Sequence, residues 1–173
     1  MEKPKKNPFN FKRITIGALC LMIFDAYIMG TLSIGFLITL IYSVGSGLQA
    51  FFYLFKDRPR AKLHLKKGAI FFLALCIIVG VFRFNNHIGS KNAEKIIFAT
   101  TSYHADTKKW PDNLEQLVPK YLDAIPVSAY RSSNNRFMYF VNDDGDPYLS
   151  WTTFPPFGRQ VYNFKEDKWT FLD

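Results

Sequence analysis

Three apolar runs crowd the first half of this chain, and they restrict its fold more than any motif does. They cover residues 14–30, 31–55 and 68–84. A bilayer core takes about 20 apolar helical residues to cross, so each run reads as a membrane helix. The first follows a basic segment, as a signal peptide would. It ends without a small-x-small cleavage site, however, and the second run follows at once, so it reads as an uncleaved helix. The link around residues 30–33 is short enough to force the first two helices into a tight hairpin.

Charge orients the runs. The net charge of +8 first suggests nucleic acid, but its distribution argues otherwise. Residues 1–13 hold five Lys/Arg against Glu2, and residues 56–67 hold six against Asp57. Residues 88–173 hold ten Lys/Arg and eleven Asp/Glu, so the rest of the chain is close to neutral. Basic segments beside apolar runs stay on the cytoplasmic side, and two spans place both of these on one side. The expectation is a multi-pass protein of a bacterial inner membrane with a cytoplasmic N-terminus and a periplasmic domain at residues 85–173. Nucleic acid is not among the expected partners. The bilayer is, together with another membrane or periplasmic protein.

Two ionisable residues fall within the apolar runs, Asp25 and Arg83. Charges there are costly, so such residues pair, face water or reach the headgroups. Three readings are open: an Asp25–Arg83 ion pair, separate contacts with the outer headgroup region, or part of an ion pathway. Ser43 and Gly47 have small-xxx-small spacing, which suits close helix packing within the chain or self-association between copies. Cys20 and Cys76 lie inside apolar runs and read as buried thiols, since their spacing matches no ligand motif.

Beyond the membrane, residues 90–126 predict a helix pair. Ser90 suits an N-cap and Glu94 a first turn. Ala93, Ile96, Ile97, Thr100 and Tyr103 share one face, and the helix should end near Lys108. Asp112 and Glu115 have capping-box spacing before a second short helix whose face holds Leu114, Leu117, Val118 and Tyr121. Strands are predicted over residues 136–142, 147–154, 159–165 and 168–172, with explicit turns between them. The expected fold is three transmembrane α-helices plus a small α+β domain, a helix pair packed on an antiparallel β-meander.

The candidate sites are few. Aromatics on the sheet, Tyr139, Tyr148, Trp151, Phe157, Tyr162 and Trp169, are candidates for contact with a partner. Asp143, Asp144 and Asp146 form the one local carboxylate cluster and are weak metal candidates, because their spacing is not that of a calcium loop. No cofactor is expected. His64, His87 and His104 lack a second ligand at i+4, and no nucleophile elbow or phosphate loop is present, so no enzyme is expected. His104 reads as a surface residue.

The stretch ATTSYHADTKKWPDNLEQLVPKYLDAIP resembles type IV pilin-like proteins, in particular the major pseudopilins of type II secretion. The positions that carry the resemblance are Tyr103, Trp110, Pro111, Leu114, Leu117, Val118, Pro119, Tyr121, Leu122, Ile125 and Pro126. It implies a helix followed by a small antiparallel sheet over residues 91–173, and a role near a pilus or secretion system. This chain departs from that family in its two extra spans, in Leu73 where a pilin carries a Glu, and in Asn85, Asn86 and Gly89, which are expected to interrupt the long helix. The expected function is therefore accessory or assembly binding at the periplasmic face. A membrane-anchored immunity protein is one alternative, and a small transporter or channel subunit resting on Asp25 is another.

Overall fold

The computed structural model describes residues 9–25, 34–128, 136–154 and 158–172. The chain divides into two compact units, Met1–Val81 and Phe82–Asp173. Its helices are α1 (Phe11–Ile23), α2 (Ile34–Leu54) and α3 (Arg58–Thr107); a 3-10 turn (Leu114–Leu117) follows. The strands are β1 (Met138–Val141), β2 (Pro147–Phe154), β3 (Gly158–Asn163) and β4 (Lys168–Leu172).

In the first unit, Asn10 caps α1 by accepting a hydrogen bond from the Arg13 N–H at 3.2 Å. α1 then buries Ala18 against Phe71 and Ala74 of α3. α2 meets α3 through small residues. A side chain added at Gly68 would stand 3.3 Å from the Ser46 Cβ and 3.5 Å from the Ser43 carbonyl oxygen. Ser46 and the Ser43 backbone thus pack within the chain, while Gly47 is exposed and a side chain there would meet nothing within 4 Å. Aromatic pairs extend this contact, Tyr42 stacking on Phe71 and Tyr53 on His64. Asp25 is fully buried, with its carboxylate lying against the Gly35 backbone.

Two helices, α2 and α3, are long and apolar enough to cross a membrane. α2 leaves Ile34, Ile41, Leu48, Phe51 and Leu54 exposed and buries the small residues Gly35, Thr39, Ser46 and Ala50. The first predicted span is shorter where it is described: α1 ends at Ile23, and residues 26–33 lie outside the described residues.

The expected basic loop at 56–67 is largely helix. Asp57 starts α3 by accepting from the Arg60 N–H at 3.2 Å and pairing with its guanidinium at 3.1 Å. Pro59 falls in the first turn, where an amide N–H has no helical partner to lose. Nor does the helix break at 85–90. Asn85, Asn86, Gly89 and Ser90 are all helical, and Ser90 caps nothing. A glycine costs a helix only about 1 kcal/mol, and packing outweighs that here.

In the second unit, Ala93, Ile96 and Ala99 of α3 bury against Leu114, Leu117, Phe137, Leu149, Trp151, Tyr162 and Phe164. α3 ends as expected: Lys108 adopts φ 61° and its N–H bonds the His104 carbonyl at 2.8 Å. The expected second helix is a single 3-10 turn. Its cap is Asn113, not Asp112, because three-residue spacing brings the Asn113 carboxamide to the Gln116 N–H at 3.2 Å. Gln116 reaches back to the Asp112 N–H at 3.0 Å.

The sheet is an antiparallel meander in the order β1-β2-β3-β4. Its register aligns Tyr139, Leu149, Tyr162 and Trp169 on one face, and Met138, Ser150, Val161 and Thr170 on the other. The first face carries the core residues Leu149, Trp151 and Tyr162. The β1–β2 turn closes through Gly145 at φ 81°, a conformation open to glycine at little cost.

Candidate functional site

The sheet places the predicted partner residues very differently from one another. Trp151 is 1 % exposed and Tyr162 7 % exposed, so both are core residues rather than partner contacts. Trp151 packs on Gly89 and Phe137. The Tyr162 hydroxyl donates to the Asp167 carboxylate, and burial, with that hydrogen bond, pushes its pKa up to about 12. Tyr139 is half-buried, and its hydroxyl is enclosed without a hydrogen-bond partner. Burial, then the Asp112 carboxylate, raises its pKa. Tyr148 and Trp169 are partly open. Tyr148 stacks on Phe140 and accepts from the Asn163 side-chain amide at 3.3 Å, while Trp169 leans on Tyr162. Phe157 lies outside the described residues.

Among the described residues, β1 has a neighbouring strand on one side only, and beside it runs a groove of about 760 Å³. One wall is the 3-10 turn with Leu114, the second is Ile125, Pro126 and Val127, and the third is β1 itself. Met138 and Phe140 stand 46 % exposed, and Val127 is exposed beside them. Arg136 and Glu115 supply opposite charges on this lining, and among the described residues neither makes an ion pair. The linker that forms the second wall is held in place, since the Asn92 side chain on α3 donates to the Val127 carbonyl at 2.9 Å. The connection after the turn is fixed by Asp106, which takes Lys120 at 2.9 Å and the Tyr121 hydroxyl at 2.8 Å. These two donors hold the Asp106 carboxyl below the usual range.

A free strand edge offers backbone N–H and C=O groups to another extended chain, and flanking apolar pockets take its alternate side chains. The β1 groove has both properties. Sequence reasoning missed Met138, Phe140, Ile125, Val127 and Arg136. Strand alternation marks Met138 and Phe140 as sharing a face, but nothing local says that β1 is an edge.

The three aspartates do not gather into a site. Asp146 is engaged by Lys165 at 3.1 Å, and its N–H donates to the Asn142 side chain at 2.7 Å. Among the described residues, no three His, Cys, Asp or Glu side chains converge to hold a metal. His104 is half-buried rather than a free surface residue, stacked flat on Trp110 at 3.8 Å. Asp25 belongs to the first unit and the exposed Arg83 to the second.

Compared with protein-family models, curated proteins and solved structures, the chain matches none.

Proposed function

We propose that this protein is a non-catalytic, three-span component of a bacterial inner membrane that binds a protein partner outside it. The N-terminus is cytoplasmic and residues 85–173 are periplasmic. The partner lays an extended segment along β1, in the groove between Leu114 and Val127. The observation that carries this reading is the free β1 edge flanked by apolar walls. The two clusters of positive charge beside apolar runs support the orientation. The pilin-like stretch between Tyr103 and Pro126 supports a setting near a pilus or secretion system, in an accessory or assembly role.

A photo-crosslinking side chain at position 138 or 140 of the full chain, activated in intact cells, tests the site. Capture of a secretion or pilus component at these positions supports the reading. Capture of a toxin there keeps the site and replaces the assembly role with immunity. Crosslinks from position 171 but not from 138 or 140 would overturn the site. Topology is tested separately with a reporter active only in the periplasm. It should be silent at residue 60 and active at 173, and the reverse result would sink the orientation.

A further inference from the structure

A second cavity, of about 430 Å³, lies in the first unit between α1, α2 and α3. Its lining is graded. Arg13 and Lys67 stand at one part, and Ile14, Gly17, Leu21 and Phe71 form the rest. On both helices the cation marks the boundary between basic and apolar sequence. Arg13 precedes the run at 14–30, and Lys67 precedes the run at 68–84. That boundary is where a headgroup region meets hydrocarbon.

The Lys67 ammonium is held over two rings, 5.6 Å from the centre of Phe9 and 5.0 Å from that of Tyr42. Tyr42 is itself braced against Phe71. Among the described residues no carboxylate pairs with Arg13 or Lys67, and Asp57 is taken by Arg60. Burial lowers the His64 pKa, and the neighbouring charges of Lys67 and Arg60 add to that shift. Gly17 opens the apolar part of the cavity, since a Cβ there would meet nothing within 4 Å.

We infer that this cavity is a binding site for one anionic glycerophospholipid of the cytoplasmic leaflet. Its phosphate sits between Arg13 and Lys67, and an acyl chain runs past Ile14, Gly17 and Leu21 onto Phe71. Two cations over an apolar groove between membrane helices match that molecule in charge and polarity. Aromatic rings hold Lys67 in one position beside the apolar part of the cavity, where a free lysine would move among many. The inference rests on the membrane reading of these helices.

The test uses the detergent-purified full chain, stripped of lipid and titrated with dioleoyl phosphatidylglycerol under native mass spectrometry. One lipid should bind. Dioleoyl phosphatidylcholine should bind about tenfold more weakly, and Arg13→Gln with Lys67→Gln should cost about tenfold, as expected for two cations facing one anion. Lys62→Gln with Lys66→Gln, which removes equal charge outside the cavity, should retain binding. Gly17→Leu should block the acyl chain and abolish binding while leaving the thermal midpoint unchanged, which separates occlusion from misfolding. Equal loss in the two double variants, equal binding of both lipids, or displacement by equimolar glycerol phosphate would each overturn the site. So would no bound phosphatidylglycerol on a chain that resists carbonate extraction from membranes. A chain that carbonate extracts would overturn the membrane reading itself, and the lipid site with it.

Discussion

The Trp151 indole lies directly on the Gly89 backbone, so close that a Cβ at residue 89 would stand 2.2 Å from the ring's Cζ3 atom. The glycine is a seat inside α3 and not a break in it. Two more ring atoms would lie within 3 Å of that carbon, and Trp151 is buried too deeply to withdraw.

Gly89→Ala should therefore destabilise the second unit by about 1–3 kcal/mol, the usual penalty for overpacking. The change improves helix propensity by about 1 kcal/mol, so a loss would show that packing outweighs it. All three tryptophans, Trp110, Trp151 and Trp169, lie in this unit, so denaturant unfolding followed by their fluorescence reports on it. Adding Trp151→Phe should make the double variant more stable than additivity allows. Strict additivity would show that the two residues do not press on each other.

Leu149 is fully buried at the centre of the sheet, aligned with Tyr139 on one side and Tyr162 on the other. Leu149→Ala should cost about 2–5 kcal/mol in the same measurement. A loss below about 1 kcal/mol would mean that this core collapses around the cavity.

Tyr162 gives the second unit an alkaline limit. Burial and the Asp167 bond raise its pKa to about 12, above the ordinary tyrosine value of about 10. A raised pKa means that the folded state holds the proton more tightly. The stabilisation is complete below pH 10 and is lost as pH rises toward 12. Unfolding free energy should fall across that window, and Tyr162→Phe should flatten the fall. Tyr139, raised by burial, contributes in the same direction. Identical slopes in wild type and Tyr162→Phe would remove Tyr162 as the cause.

Met138 and Phe140 sit on the open face of β1, away from the core face that holds Tyr139. Met138→Glu with Phe140→Glu should leave the unfolding midpoint within about 0.5 kcal/mol per site of wild type. It should also reduce partner crosslinking at least tenfold, because the groove loses apolar surface and gains charge. Undiminished crosslinking would place the partner elsewhere.

What the sequence determined by itself was set by period and punctuation. Ala93, Ile96 and Thr100 recur at helical spacing, and all three are buried. Paired aromatic strands with Asp-Gly and Glu-Asp turns predicted a meander, and the four strands lie in chain order. Lys108 marks the end of α3, and the apolar runs mark α2 and α3 as long and apolar enough to cross a membrane. These are local properties, carried by neighbours three or four residues apart in a helix, or two apart in a strand.

The tertiary structure decided what local rules left open. Gly89 and Asn86 read as breakers, yet the helix runs through them, because a residue 62 positions beyond Gly89 needs the space a missing side chain leaves. Trp151 and Tyr162 stood among the candidates for partner contact, and only the packing of the sheet shows that they lie over the core while Met138 and Phe140 do not. The groove itself belongs to no single segment. It exists because β1 lies at the sheet's edge, with the 3-10 turn and residues 125–127 beside it, and contacts between distant segments are not encoded in the period of any one of them.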